Sequence, residues 1–135
     1  METEVGAWPE AAVRQARKAS SRPVDLVHLS RYTLGERALE REVLDLFCTQ
    51  SLVYLERLQG AANDQEWKDA AHSLKGSAQA IGAWRAAEAA ERAEALAGDP
   101  LAGDALATSR RARLVEIEAF LGEAKAYIRS LLKDR

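Results

Sequence analysis

From Glu36 to Leu58 apolar residues fall at positions 39, 43, 44, 46, 47, 52, 55 and 58, with Arg37, Glu40, Arg41, Glu42, Glu56 and Arg57 between them. That recurrence predicts a long amphipathic helix with one buried stripe. GAAND (60–64) stops it and starts the next, Gly60 serving as C-cap and Asn63 or Asp64 as N-cap. The second long helix is expected to run to about Ile81. Gly82 marks a break, AWRAAEAAERAEALAG (83–98) reads as a third helix, and GDPLAGD (98–104) is a turn-rich connection. A last helix is predicted from about Leu106 to Leu132, with apolar positions at 106, 114, 117, 120, 121, 128, 131 and 132. Four long helices with short connections predict an all-α chain folded as an antiparallel four-helix bundle.

Ahead of the bundle the pattern predicts one or two short helices. PEAAVRQARKAS (9–20) has Pro9 in its first turn, where the missing N–H costs little, and VDLVHLSRYTLG (24–35) closes at Gly35. Residues 1–24 are therefore read as an N-terminal helical extension and 25–135 as the bundle, within a single domain.

Composition narrows the function classes. Three prolines and eight glycines in a chain that is 47% hydrophobic and 30% charged agree with helix. The 19 basic and 21 acidic residues are intermixed, giving a net charge of −2 and no basic footprint for nucleic acid. Cys48 is the single cysteine, which excludes an intrachain disulfide and a cysteine-built zinc site. No run reaches the roughly 18 apolar residues of a membrane span. A cytoplasmic monomer is the expectation, since one bundle buries its own core.

The candidate chemistry lies in AAHSLKGSAQAIGA (70–83). At about 100° per residue, Lys68, Lys75, Gly76 and Gln79 all fall within about 60° of His72, while Trp67, Ala70, Leu74, Ala78 and Ile81 cluster on the opposite side. His72 is thus predicted on the exposed face. Gly76 weakens a helix interior by roughly 1 kcal/mol relative to alanine, and at this position it clears space beside the imidazole. Lys75 at i+3 and Lys68 at i−4 bring positive charge to anything carried on the ring. In an antiparallel hairpin turning near Gly82, residue 83 lies midway between 72 and 94, so Glu94 is expected level with His72. A carboxylate there would accept from Nδ1–H and leave Nε2 as a nucleophile. Glu91, one turn earlier, competes for the role.

The stretch WKDAAHSLKGSA (67–78) followed by IGA (81–83) resembles the signature of histidine phosphotransfer (HPt) domains of two-component phosphorelays, an AHxLKGxA-type helix with a following (L/I)GA. A looser likeness extends over residues 25–98. The resemblance implies a four-helix bundle whose His72 accepts a phosphoryl group from a histidine kinase or a receiver aspartate and passes it to a response-regulator receiver. It implies that Lys75 helps neutralise the phosphoryl group, that Gly76 admits the receiver closely, and that Glu94 hydrogen-bonds the histidine. Lys68, Gly76, Gln79 and Ala83 are expected to meet the partner. The implied protein is a relay intermediate with no cofactor of its own, the Mg²⁺ sitting on the receiver. The chain departs from the family pattern at Ala86, Ala90 and Ala93, where relatives carry larger aliphatic residues or cysteine; this predicts tight helix spacing. No kinase catalytic domain or receiver fits within 135 residues, so a free-standing module is expected.

Two other readings differ in class. A helical adaptor would bind signalling partners without phosphotransfer, leaving His72 incidental. A metal-binding bundle needs a Glu-x-x-His pairing, and here only Asp69 precedes His72 by three. Trp67 is expected in the core, Trp84 at the bundle end, Cys48 in the core and His28 in surface or lid packing.

Overall fold

The computed structural model describes residues 22–98 and 103–133. The short helix expected over residues 9–20, and Trp8, lie outside the described residues. The elements are α1 (Leu26–Thr33), α2 (Arg37–Gln59), α3 (Asp64–Ala80), α4 (Trp84–Ala95), a single 3-10 turn (Leu96–Gly98) and α5 (Gly103–Lys133). Successive helices pack as antiparallel neighbours and α5 closes the ring against α2, so the expected four-helix bundle is present with α1 across one end.

Local chemistry sets the helix ends. The Asn63 side chain accepts from Glu66 N–H at 2.9 Å, and the Glu66 carboxylate accepts from Ala62 N–H at 2.8 Å, which together start α3. Its other end is a Schellman motif: Gly82 N–H donates to the Gln79 carbonyl and Ala83 N–H to that of Ala78, with Gly82 at φ +73°. At the end of α1 the left-handed turn starts one residue before the glycine expected, at Leu34 (φ 55°), and continues through Gly35.

The core is built from Leu44, Phe47, Leu55 and Leu58 of α2, Trp67 and Leu74 of α3, and Ile117, Leu121 and Ile128 of α5. Between α3 and α5 lies α4, whose Ala86, Ala87, Ala89, Ala90 and Ala93 are all buried. Apart from Trp84 at its first position, the buried side chains of α4 are methyl groups, which leave its neighbours room to approach closely. The stripe of α2 needs one revision. Leu39, Leu46 and Leu52 are exposed, whereas Glu40 and Ser51 are buried on the line through Leu44, Phe47 and Leu55. Thr33 donates to Glu40 Oε2 at 3.1 Å and Ser51 to the Cys48 carbonyl at 3.3 Å, so these buried polar groups are satisfied. Cys48 itself is half-buried.

Asp25 fastens α1 to the bundle. Its N–H donates to the Gly82 carbonyl at 3.0 Å, Oδ1 accepts from His28 N–H at 3.1 Å, and Oδ2 accepts from Trp84 Nε1–H at 3.2 Å. Val24 and Leu29 are completely buried beneath it. His28 is buried lid packing, its ring edge-on to Trp84 at 4.7 Å between centroids. Burial pushes its imidazole below the ordinary value, against the opposing influence of the Gln79 backbone and Asp25. Trp84 does sit at the bundle end, as expected.

Gly82 is where α1 meets the α3–α4 turn. A Cβ there would lie 2.6 Å from Asp25 Cβ and 3.0 Å from its backbone N and O, in a left-handed conformation besides. Gly82→Ala is expected to lower stability by about 2–4 kcal/mol in urea unfolding. Gly122→Ala in α5, where a Cβ meets nothing within 4 Å, should instead gain up to about 1 kcal/mol.

Candidate functional site

Helix α3 divides as its sequence predicts. Trp67, Ala70, Ala71, Leu74 and Ala78 are buried, while Lys68, His72 and Gly76 are exposed and Lys75 and Gln79 half-buried. The His72 side chain is 68% exposed. A Cβ on Gly76 would meet nothing within 4 Å, so this protein's own packing does not require glycine there.

The hairpin brings Glu94 of α4 level with His72. Glu94 Oε2 lies 3.0 Å from His72 Nδ1, and Oε1 lies 3.0 Å from Lys75 Nζ. An ionised carboxylate can only accept, so this contact places the proton on Nδ1 and leaves Nε2 as the unprotonated ring nitrogen. Nε2 makes no hydrogen bond among the described residues. Partial burial works against the charge on Glu94, but the Lys75 ammonium and the His72 ring outweigh it, holding the carboxyl below the usual carboxylate range. The lysine thus keeps the carboxylate ionised, and the carboxylate orients the ring.

A second set of contacts ties the ends of α3 and α4. Trp67 Nε1–H donates to the Ala93 carbonyl at 2.6 Å, near the point where α4 tightens into the 3-10 turn. From α5, the Arg110 guanidinium lies 4.7 Å over the Trp67 ring and 2.6 Å from Asp64 Oδ1. These bonds resist sliding of α4 along α3.

The geometry unites His72, Lys75 and Glu94, with Lys68, Gly76 and Gln79 around them on α3. Ala83 is a correction. It was expected at the rim of the partner surface but is 1% exposed, because the turn at Gly82 folds it inward to begin α4, where its carbonyl accepts from Ala87 N–H. Helical spacing treated Lys75 and Glu94 as separate neighbours of His72 and missed the ion pair joining them. The hairpin level carried that signal, since Lys75 lies within one turn of His72. Nothing in the spacing pointed to Arg110.

A family model described as Hpt domain matches residues 42–131, well over half of the chain, from within α2 almost to the end of α5. The chain belongs to the Hpt domain family. Neither the curated proteins nor the solved structures searched gave a match. Membership of the Hpt family implies phosphotransfer in two-component signalling, by a carrier that interacts with kinases and receiver domains and is not a classical enzyme. Among the described residues of this Hpt domain no helix is long and apolar enough to cross a membrane.

Because Glu94 titrates below its ordinary value when folded, its contacts stabilise the protein above about pH 4.5, and this contribution is lost as pH falls through the lowered value. Glu94→Ala should therefore be less stable than wild type at pH 7, with the gap narrowing on acidification in urea unfolding followed by circular dichroism. In the same variant ¹⁵N NMR should show His72 moving from the Nδ1–H toward the Nε2–H tautomer. An unchanged tautomer would mean that Glu94 does not orient the ring.

Proposed function

We propose that this protein carries a phosphoryl group on His72 Nε2, taking it from a histidine kinase or its receiver domain and passing it to a response-regulator receiver aspartate. The observation that carries this reading is the exposed His72 ring with Nδ1 held by Glu94 and Nε2 free of hydrogen bonds to the described residues. In the forward step the Nε2 lone pair attacks phosphorus in line, an Nε2–P bond forms, and the P–O bond to the donor aspartyl carboxylate breaks. The ring then bears positive charge while Nδ1 keeps its proton, and Glu94 stabilises that charge. Lys75, drawn to the same carboxylate, adds positive potential beside the phosphoryl oxygens. The reverse sequence of bond changes hands the group to the next aspartate. Mg²⁺ is assigned to the receiver's carboxylates.

The receiver is proposed to cover the exposed face of α3 around Lys68, Gly76 and Gln79, beside a groove of about 560 Å³ between α2 and α3 that Val53, Arg57, Asp69 and Ser73 help to line. Gly76 gives this surface its closest approach to the ring. The reading makes the protein half of an active site, regenerated by each transfer.

Radiolabel transfer from a panel of phosphorylated receivers and kinases tests it. Wild type should acquire an acid-labile, base-stable label and His72→Gln none; failure of every donor to label the folded wild type would favour the adaptor reading. Gly76→Ala should unfold at higher urea, by up to about 1 kcal/mol, yet accept label from a receiver about ten- to a hundredfold more slowly. Equal transfer rates would remove Gly76 from the docking surface.

A further inference from the structure

Of the cations around His72, Lys75 is already committed. Its Nζ lies 3.0 Å from Glu94 Oε1, and the other oxygen of that carboxylate holds the ring. Lysine and glutamate therefore balance each other before any phosphoryl group arrives. The other cation on this face of α3 is Lys68, one turn before His72 and exposed. Residues four apart on a helix have Cβ atoms roughly 6 Å apart, and a flexible four-carbon stem carries the lysine ammonium across that gap. Lys68 also lines a cavity of about 390 Å³ together with Asp64, Gln65, Glu94 and Ala97. That places it on the Glu94 side of the imidazole.

The nearby carboxylates are engaged elsewhere. Asp64 lies 2.6 Å from Arg110, Asp69 accepts from Gln65 at 2.8 Å, and Glu94 is shared between Lys75 and His72. Lys68 forms no ion pair among the described residues. A phosphoryl group brings about two negative charges to a place where one carboxylate is already balanced. An exposed cation with no ion-pair partner among the described residues, one turn away, is what this excess charge meets first.

We propose that Lys68 contacts the phosphoryl oxygens of phospho-His72 and supplies the site's uncompensated positive charge, Lys75 acting chiefly through Glu94. This rests on the reading of His72 as phospho-acceptor. Lys68 offers three donors to an anion that has just left a metal-bearing partner. Its charge therefore belongs to the carrier state, after the receiver has departed, more than to the transfer itself.

The test uses phosphoramidate as a partner-independent donor: its N–P bond breaks, the His72 Nε2–P bond forms and ammonia leaves. The phosphoryl resonance is then titrated by ³¹P NMR in wild type, Lys68→Gln, Lys68→Arg and Lys75→Gln. Lys68→Gln should raise the phosphoryl pKa by about half a unit at low salt, the difference should shrink at about 1 M salt, and Lys68→Arg should titrate with wild type. A purely structural role for Lys68 would leave the titration unmoved while altering the circular dichroism. Coincident wild-type and Lys68→Gln curves, or a shift confined to Lys75→Gln, would overturn the assignment, as would failure of the reagent to label His72. The relay reading stands or falls separately, on label transfer from phosphorylated receivers and kinases.

Discussion

How closely α4 lies against α3 governs everything on the outer face of α3. A carboxylate has a short reach, and Glu94 meets His72 and Lys75 at 3.0 Å each from a helix whose buried surface is mostly alanine. Larger aliphatic side chains on that surface would move the axes apart by a substantial part of a side chain's length. The alanine-rich helix is thus part of the site, although none of its methyl groups touches the chemistry.

Close packing without large side chains leaves register weakly specified, and polar contacts at both ends supply what is missing. At the turn, Gly82 admits the Asp25 backbone, and the Asp25 carboxylate caps α1 while accepting from Trp84. At the far end Trp67 donates to Ala93 and is covered by Arg110. Two largely buried indole N–H groups each find an acceptor, and each acceptor lies outside the indole's own helix. Such bonds are directional, so they fix where α4 begins and ends along α3 as methyl packing does not. Glu94 directly follows Ala93, the residue that the far anchor holds.

Charge at the site is arranged in layers. Lys75 and Glu94 form an internal pair, Glu94 holds Nδ1 and so fixes the tautomer of the ring, and the exposed face keeps Lys68 and an open space at Gly76. Each layer has a different solvent exposure, and electrostatic strength follows exposure. The Lys75–Glu94 pair, both less than a quarter exposed, resists screening and serves orientation. Lys68 lies in water, where its influence is modest and depends on salt. A carrier that holds a labile group between two encounters needs a ring oriented at all times and a surface that stays accessible.

Much of this architecture could be read from the sequence by itself. Helical periodicity, capping residues and glycine breaks located the four long helices, and the polarity of α3 put His72, Lys68 and Gly76 outward while Trp67 and Leu74 turned inward. The hairpin midpoint near residue 83 even placed Glu94 level with His72, because the rise of a helix is regular enough to count along. Tertiary structure decided the rest. Ala83 turned into the core because a left-handed glycine redirects the chain within one residue. Glu40 and Ser51 took buried positions on α2, displacing Leu39, Leu46 and Leu52 outward, since a covered surface with a hydrogen-bond partner accepts a polar group that periodicity assigns to solvent. Arg110 reached Asp64 and Trp67 across 46 and 43 residues of sequence, a distance over which no local pattern operates. Periodicity reports which way a side chain faces on its own helix; which partner it meets depends on the rotation and spacing of another, and those follow from packing.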